Sequence, residues 1–270
     1  MIVGDELVKI CGIAKGSGMI APNLATMLSF IFTDADIPSN LLKVLLKKAI
    51  EYIEGEIPDT LDVDSNNDGY VDNVTFLVKG SPGAWADLLW PHRWALYLEE
   101  AYINGARVWD YNLNLEQGGY FTVGTLCHEF FHSLGAPDLY HYWDTSAPIA
   151  VGGWDVMDAS SEIPQSMSAY MKYKYTDWIT ELPVLEYSGN YHLLPLSMPN
   201  DNILRINSPS SLNEYFVVEY RVQEGIYEIN TPGDNNGLLI YRVNDNYLSL
   251  IHISEPTRRT PISYAVFCLK

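Results

Sequence analysis

The stretch VGTLCHEFFHSLGAPD, which begins at Val123, constrains the fold of this chain more than any other part of the sequence. Its apolar spacing predicts a helix that ends at Gly135, because glycine readily adopts the left-handed conformation that stops a helix. His128 and His132 are four residues apart, so their imidazoles stand on one face of that helix. The spacing also predicts that the apolar side chains face the core: Val123, Cys127, Phe130, Phe131 and Leu134.

Two imidazoles at this spacing can bind one zinc ion from a rigid support. Asp138 follows the glycine turn ten residues after His128, and the turn directs the chain back toward the metal, so we expect Asp138 to be the third ligand. Glu162 is an alternative third ligand. Glu129 is one step round the helix, where it can act as general base toward a water held by zinc. The competing interpretation is an amphipathic helix whose histidines are ordinary core residues.

Two further segments bear on the same site. The sequence GGWDVMD resembles a Met-turn, in which Met157 would lie beneath the metal as an apolar floor. Tyr170 and Tyr173 are candidates for stabilising an oxyanion, and the spacing alone does not choose between them. His92, in WPHRW, is interpreted as a packed, hydrogen-bonded histidine rather than as a ligand.

The acidic stretch DVDSNNDGYVDN predicts a calcium loop that leads into a strand. Oxygen donors recur at alternate positions, and Gly69 allows the sharp turn that such a loop needs. The twelfth position holds Thr75 rather than the glutamate of an EF-hand, and an alternating strand pattern follows. The predicted ligands are Asp64, Asn66, Asp68, the carbonyl of Tyr70, and Asp72. The competing interpretation is a solvated acidic turn without metal.

The beginning of the chain differs in character from the rest. The sequence KGSGMIAPNLATML resembles the ornithine acetyltransferase (glutamate N-acetyltransferase) family, and the resemblance covers residues 1–45. It implies self-cleavage at the Ala25–Thr26 bond, with Thr26 as the acyl-accepting nucleophile. Leu24 stands where that family usually has methionine. We interpret residues 1–45 as a foreign fragment joined to the remainder near residues 46–52.

The other end also has a foreign character. Residues 248–270, LSLIHISEPTRRTPISYAVFCLK, resemble the translation of a sequencing adapter. We therefore expect the natural chain to break off near Tyr247, and we expect no functional role for this tail. No secretion signal is recognisable at Met1.

The sequences DSNNDGYVDNVTFLVKG, VGTLCHEFFHSLGAPDLYHY and VGGWDVMD together resemble the immune inhibitor A family of secreted bacterial zinc metalloproteases. The resemblance implies an α+β fold, with a metzincin-like catalytic domain at residues 46–183. It also implies Zn²⁺ and Ca²⁺ as cofactors, protein or peptide substrates, and an extracellular location. Residues 184–247 contain short runs of β-forming residues and predict a truncated antiparallel β segment. Two interpretations are open for Glu214, Glu219 and Arg221: ion pairs within this segment, or charges on an exposed face, which is the commoner case.

The formal net charge of −18 argues against a nucleic-acid-binding surface, and no apolar run reaches membrane-spanning length. The leading hypothesis is therefore a zinc-dependent endopeptidase with Glu129 as general base. One alternative is an acetyltransferase fragment that acts through Thr26. The other is an inactive, calcium-stabilised binding module.

Overall fold

The computed structural model describes residues 42–79, 90–116, 121–140, 149–198, 202–233 and 236–245, and the backbones of five strands nearer the ends. Two antiparallel pairs form among the first four of these strands. Thr26, residues 248–265 of the tail and Lys270 lie outside the described residues. The five strands are β1 (Ile2–Val3), β2 (Glu6–Leu7), β3 (Ile10–Lys15), β4 (Leu28–Thr33) and β13 (Val266–Leu269).

The chain divides into two compact units, residues 1–133 and residues 134–270. In the first unit, helix α1 (Leu42–Glu54) ends before Pro58. Its apolar side chains recur every three or four residues, so they form one stripe that is buried in the core of this unit. The buried side chains of α1 are Leu42, Leu46, Ala49, Ile50 and Ile53.

A three-stranded sheet forms the other side of this core. Strand β9 (Asp110–Leu115) is central, with β5 (Val74–Val78) parallel on one side and β6 (His92–Ala95) antiparallel on the other. Every residue of β5 and β9 is buried, which is typical of parallel strands covered on both faces. Strand β5 follows the acidic loop directly, which confirms the predicted loop-to-strand transition.

Two shorter elements complete the first unit. Strands β7 (Tyr102–Ile103) and β8 (Ala106–Arg107) form a hairpin. Its two turn residues, Asn104 and Gly105, both have positive φ, as a type I′ turn requires. Helix α2 (Val123–Ser133) ends this unit and carries the two histidines.

The second unit contains a 3₁₀ turn (Gly152–Trp154), helix α3 (Ala169–Tyr175) and an antiparallel sheet. The sheet order is β10-β11-β12-β13, so neighbours in sequence are neighbours in space. The three strands that precede β13 pair antiparallel with one another. They are β10 (Ile203–Asn207), β11 (Glu214–Arg221) and β12 (Gly237–Asn244).

The interpretation that the charges of β11 lie on an exposed face is wrong. Glu219 and Arg221 are 0% and 2% exposed, because the strand turns its odd-numbered residues toward the core. Glu214, at the other end of the strand, is half-buried and accepts a hydrogen bond from Asn244. Among the described residues, no helix combines the length and the apolar character that crossing a bilayer requires.

Candidate metal centre

Helix α2 begins with a side-chain cap and presents its histidines on one face. The Thr122 hydroxyl accepts a hydrogen bond from the backbone N–H of Thr125 at 3.0 Å, which satisfies one of the free donors of the first turn. The imidazole rings of His128 and His132 lie with their centroids 4.8 Å apart and their planes nearly perpendicular. This is the stacking that a four-residue spacing predicts.

Asp138 joins the two histidines. Gly135 has a φ of +92°, so the chain leaves helix α2 through the predicted left-handed glycine. One ring nitrogen of His128, one of His132 and one carboxylate oxygen of Asp138 all lie within 4.8 Å of one another. Two imidazoles and a carboxylate are a donor set that suits zinc, so these residues fit the predicted ion. Glu162 is exposed and is not part of this group.

The Met157 turn lies beside the residue that follows Asp138. The Met157 side chain is fully buried, and its backbone carbonyl accepts a hydrogen bond from the N–H of Leu139 at 2.9 Å. The carboxylate of Asp158 accepts hydrogen bonds from two backbone N–H groups at the start of the turn. The turn is therefore internally fixed and is bonded to the backbone next to the proposed ligand.

Glu129 is buried on α2, next to His128, with 6% of its surface exposed. Its position in the sequence places it one step from the ligand face without making it part of the three-residue group. A carboxylate is a group that can accept a proton, and this one is adjacent in sequence to a histidine of the three-residue group.

The apolar side chains of α2 are less buried than the sequence predicts. Val123 is exposed, and Cys127 and Phe130 are only half-buried, whereas His128 and Glu129 are buried. Hydrophobic periodicity treats polar side chains as solvent-facing, so it assigns the wrong face when a helix turns functional groups inward. Burial raises the pKa of the Cys127 thiol, which keeps it neutral.

Asp110, on β9, is a charged neighbour of the site that the sequence did not indicate. It forms an ion pair with Arg93 and interacts with Ser133 and His132 at the end of α2. Burial raises the pKa of Asp110, while the charge of Arg93 opposes that shift. A carboxylate near a ligand histidine favours the orientation of its ring. Only the fold brings these distant positions together, so spacing gave no signal for Asp110.

The end of α2 is also held to the sheet. The Asn73 amide donates a hydrogen bond to the Ser133 hydroxyl at 2.8 Å, and that hydroxyl donates to Asn112 at 3.4 Å. Both asparagines are buried: Asn73 directly precedes β5, and Asn112 lies within β9. These polar contacts fix the last turn of the helix, which carries His132.

Two of the other sequence candidates have defined contacts that bear on their roles. His92 is hydrogen-bonded to the carbonyl of Trp90 at 2.8 Å and packs edge-on against Tyr111, which confirms a packed histidine. Burial lowers the pKa of His92, so its ring is neutral near pH 7. The Tyr170 hydroxyl donates to Asp245 at 3.3 Å and is buried within the second unit. Tyr173 is partly exposed.

The acidic loop folds around its own carboxylates. Asp64 accepts hydrogen bonds from the backbone N–H groups of Asp68 and Gly69 at 3.0 and 2.9 Å, and Asp72 accepts from the Ser65 hydroxyl at 2.7 Å. Gly69 has a φ of +87°, as the predicted turn requires. Within the described residues, no group of acidic side chains in this loop reaches the spacing of the His128 cluster.

Two different family models match successive parts of the chain. The ArgJ family matches residues 1–68, and the catalytic domain of immune inhibitor A peptidase M6 matches residues 65–177. The second range contains the three proposed zinc ligands, Glu129 and Met157. The first supports a fragment of different origin at the beginning of the chain.

Curated relatives match the beginning of the chain. The arginine biosynthesis bifunctional protein ArgJ of Nitrobacter winogradskyi is 45% identical over 82 residues, which is 30% of this chain and 18% of that protein. The ArgJ protein of Listeria monocytogenes serotype 4b is 48% identical over 69 residues, which is 26% of this chain and 17% of that protein. The chain therefore spans less than a fifth of either relative. No solved structure matches it with significance.

Proposed function

We propose that residues 46–183 are the catalytic part of a zinc-dependent endopeptidase with a metzincin-like fold that acts on proteins or peptides outside the cell. The observation that carries this proposal is the gathering of His128, His132 and Asp138 within 4.8 Å, with Glu129 buried next to the first of them. The match to the M6 peptidase catalytic domain over residues 65–177 supports the same reaction class.

In the proposed site, some residues bind the ion and another transfers a proton. His128, His132 and Asp138 would hold zinc, and Met157 would provide a buried apolar floor. Bound zinc would lower the pKa of water and polarise the scissile carbonyl. Glu129 would accept the proton of the attacking water on its carboxylate and deliver it to the leaving amine. The partly buried setting would limit competing water around these charges.

Removal of the metal tests this proposal. We expect the purified chain to cleave fluorescently labelled casein, to lose that activity with a zinc chelator, and to regain it when zinc is restored. The physical reason is that neither the water nor the carbonyl is activated without the ion. Cleavage that persists at full rate in the chelated, zinc-free protein would contradict the proposal.

Calcium binding at Asp64, Asn66, Asp68, Tyr70 and Asp72 is the second part of the proposal. The carboxylates already converge on the backbone N–H groups of their own loop, and an ion would take some of the same oxygens. The loop leads into the buried strand β5, so ordering it would stabilise the unit that carries α2.

We expect calcium to raise the melting temperature of the chain and the Asp64→Asn variant to lose most of that rise, because one charged ligand is removed. Asp59→Asn is the matched control, since Asp59 is an exposed acid of the same region outside the proposed ligand set. An equal rise of melting temperature with calcium in the parent and in Asp64→Asn would contradict the proposed site. It would support the competing interpretation, an acidic turn that binds no metal.

The ArgJ matches favour one other candidate, an acetyltransferase activity of the first part of the chain. Thr26, its proposed nucleophile, lies outside the described residues. The matched relatives are much longer, so the fragment contains only a small part of such an enzyme. The intact mass of the purified chain separates the candidates, because two fragments that meet at the Ala25–Thr26 bond would favour the acetyltransferase.

A further inference from the structure

Strand β11 carries a buried group of charges that the proposed reaction does not use. Arg221 donates to Glu219 at 2.8 Å and to Glu228 at 2.9 Å, and all three side chains are almost fully buried. Burying charges costs more than their pairing returns unless the remaining hydrogen bonds are made as well. A cluster of this kind is therefore better explained by the groups it holds in place than by stability alone.

The second oxygen of Glu219 reaches helix α3. It accepts hydrogen bonds from the backbone N–H of Ala169 at 2.7 Å and from the Tyr241 hydroxyl at 3.1 Å. The same hydroxyl accepts a hydrogen bond from the N–H of Tyr170 at 3.0 Å. The first residues of α3 are thus fixed to strands β11 and β12 by side chains.

Asp155 holds the residue immediately before Ala169. Its carboxylate is fully buried and accepts hydrogen bonds from the N–H of Ser168 at 2.7 Å and from the N–H of Met157 at 2.8 Å. Burial raises the pKa of Asp155, while its two N–H donors and the charge of Arg221 act in the opposite direction. Asp155 therefore connects the start of α3 with the Met157 turn.

The connection continues to the proposed zinc ligand. The Met157 carbonyl accepts the N–H of Leu139 at 2.9 Å, and Leu139 follows Asp138 directly. An unbroken series of contacts thus leads from Glu219 through α3, Asp155 and Met157 to the backbone next to Asp138. Residues that orient a metal ligand without binding the metal themselves commonly lower metal affinity about 10- to 100-fold when they are substituted.

We propose that Asp155 and Glu219 are positioning residues, which hold the Met157 turn and, through it, Asp138 in the geometry that binds zinc. The inference rests on the proposed zinc site. It goes further by assigning part of that site to β11, which lies beyond the residues 65–177 matched by the peptidase catalytic domain. The working catalytic unit would then include the β-rich segment.

The test compares zinc affinities, measured by competition with a chromophoric chelator, for the full-length parent and its variants. We expect Asp155→Asn and Glu219→Gln to bind zinc at least about 10-fold more weakly. Each carboxylate accepts hydrogen bonds on both of its oxygens, and a carboxamide has an NH2 donor in place of one of them. Glu214→Gln is the matched control on the same strand and is expected to stay within about twofold of the parent, since its partner Asn244 is outside the cluster.

A second pair of variants separates positioning from general loss of stability. Val243→Ala removes buried volume from the same sheet at a position paired with Tyr215 rather than with Glu219 or Arg221, so it should lower the melting temperature and leave zinc affinity unchanged. Tyr241→Phe keeps the ring and removes only the hydroxyl, so it decides the matter if the carboxamide variants do not fold. We expect it to weaken zinc binding about threefold or more.

Three results would overturn the inference. They are parent-like zinc affinity in folded Asp155→Asn and Glu219→Gln, parent-like affinity in Tyr241→Phe where those two variants do not fold, and an equal loss of affinity in Val243→Ala. Absence of zinc binding by the parent itself would instead remove the proposed function, and this inference with it.

Discussion

Glu129→Gln is expected to keep its zinc and to cleave casein about 10²- to 10⁴-fold more slowly than the parent, the range associated with loss of a general acid–base group. Glutamine has nearly the same shape as glutamate but cannot accept a proton at neutral pH. Glu129 is buried next to His128 but is outside the group of three proposed ligands. We therefore expect the substitution to lower the cleavage rate and to leave zinc binding unchanged.

The measurement pairs initial cleavage rates with zinc content for each protein. Glu162→Gln is the matched control, because Glu162 is an exposed glutamate of the same chain outside the ligand group. We expect it to keep both activity and zinc. Undiminished cleavage by Glu129→Gln would exclude this residue as the base, and loss of zinc from Glu162→Gln would favour the alternative third ligand.

Asp138→Ala is expected to bind zinc about 10²- to 10⁴-fold more weakly and to lose cleavage at ordinary zinc concentrations. Structural zinc sites bind with roughly 10–16 kcal/mol, so one of three protein ligands corresponds to about 3–5 kcal/mol. Each 1.4 kcal/mol is about a factor of ten in affinity. Chelator competition measures the change directly.

Asp177→Ala is the control for this variant, since Asp177 is an exposed aspartate of the second unit. Its zinc affinity should equal that of the parent. If Asp138→Ala also kept parent affinity, the metal would be bound without this carboxylate, and the proposed coordination would be wrong.

Local patterns predicted much of the site. The i, i+4 spacing placed His128 and His132 on one face, and the glycine after the helix turned the chain as expected, with φ at +92° for Gly135. These features depend on residues close in sequence, whose relative positions a helix and one turn largely determine. The same reason explains the success with the strand that follows the acidic loop.

Long-range burial could not be predicted in the same way. Strand β11 has apolar residues on both faces, so alternation did not show that Glu219 and Arg221 point inward. Only the fold brings Asp110 close to Arg93 and His132. In the same way, only the fold brings Asp155 close to Ser168. Charged residues are usually exposed, and the exceptions depend on partners distant in sequence.

The sequence predicted the backbone of the acidic loop but not whether the loop binds an ion. Gly69 has the backbone conformation that the pattern predicted, and the hydrogen bonds of Asp64 show that its carboxylate turns into the loop. The same hydrogen bonds also form in an acidic turn that binds no ion. Calcium therefore stays a prediction that rests on composition and spacing, to be decided by the melting-temperature experiment.

Zinc X-ray absorption spectroscopy on the purified full-length chain gives the number and kind of ligands at the proposed centre. We expect one zinc ion per chain with two imidazole ligands and oxygen ligands at about 2.0–2.2 Å. We also expect this signal to disappear in the double variant His128→Ala/His132→Ala. A chain that binds no zinc, or a double variant with an unchanged zinc signal, would contradict the proposed zinc centre.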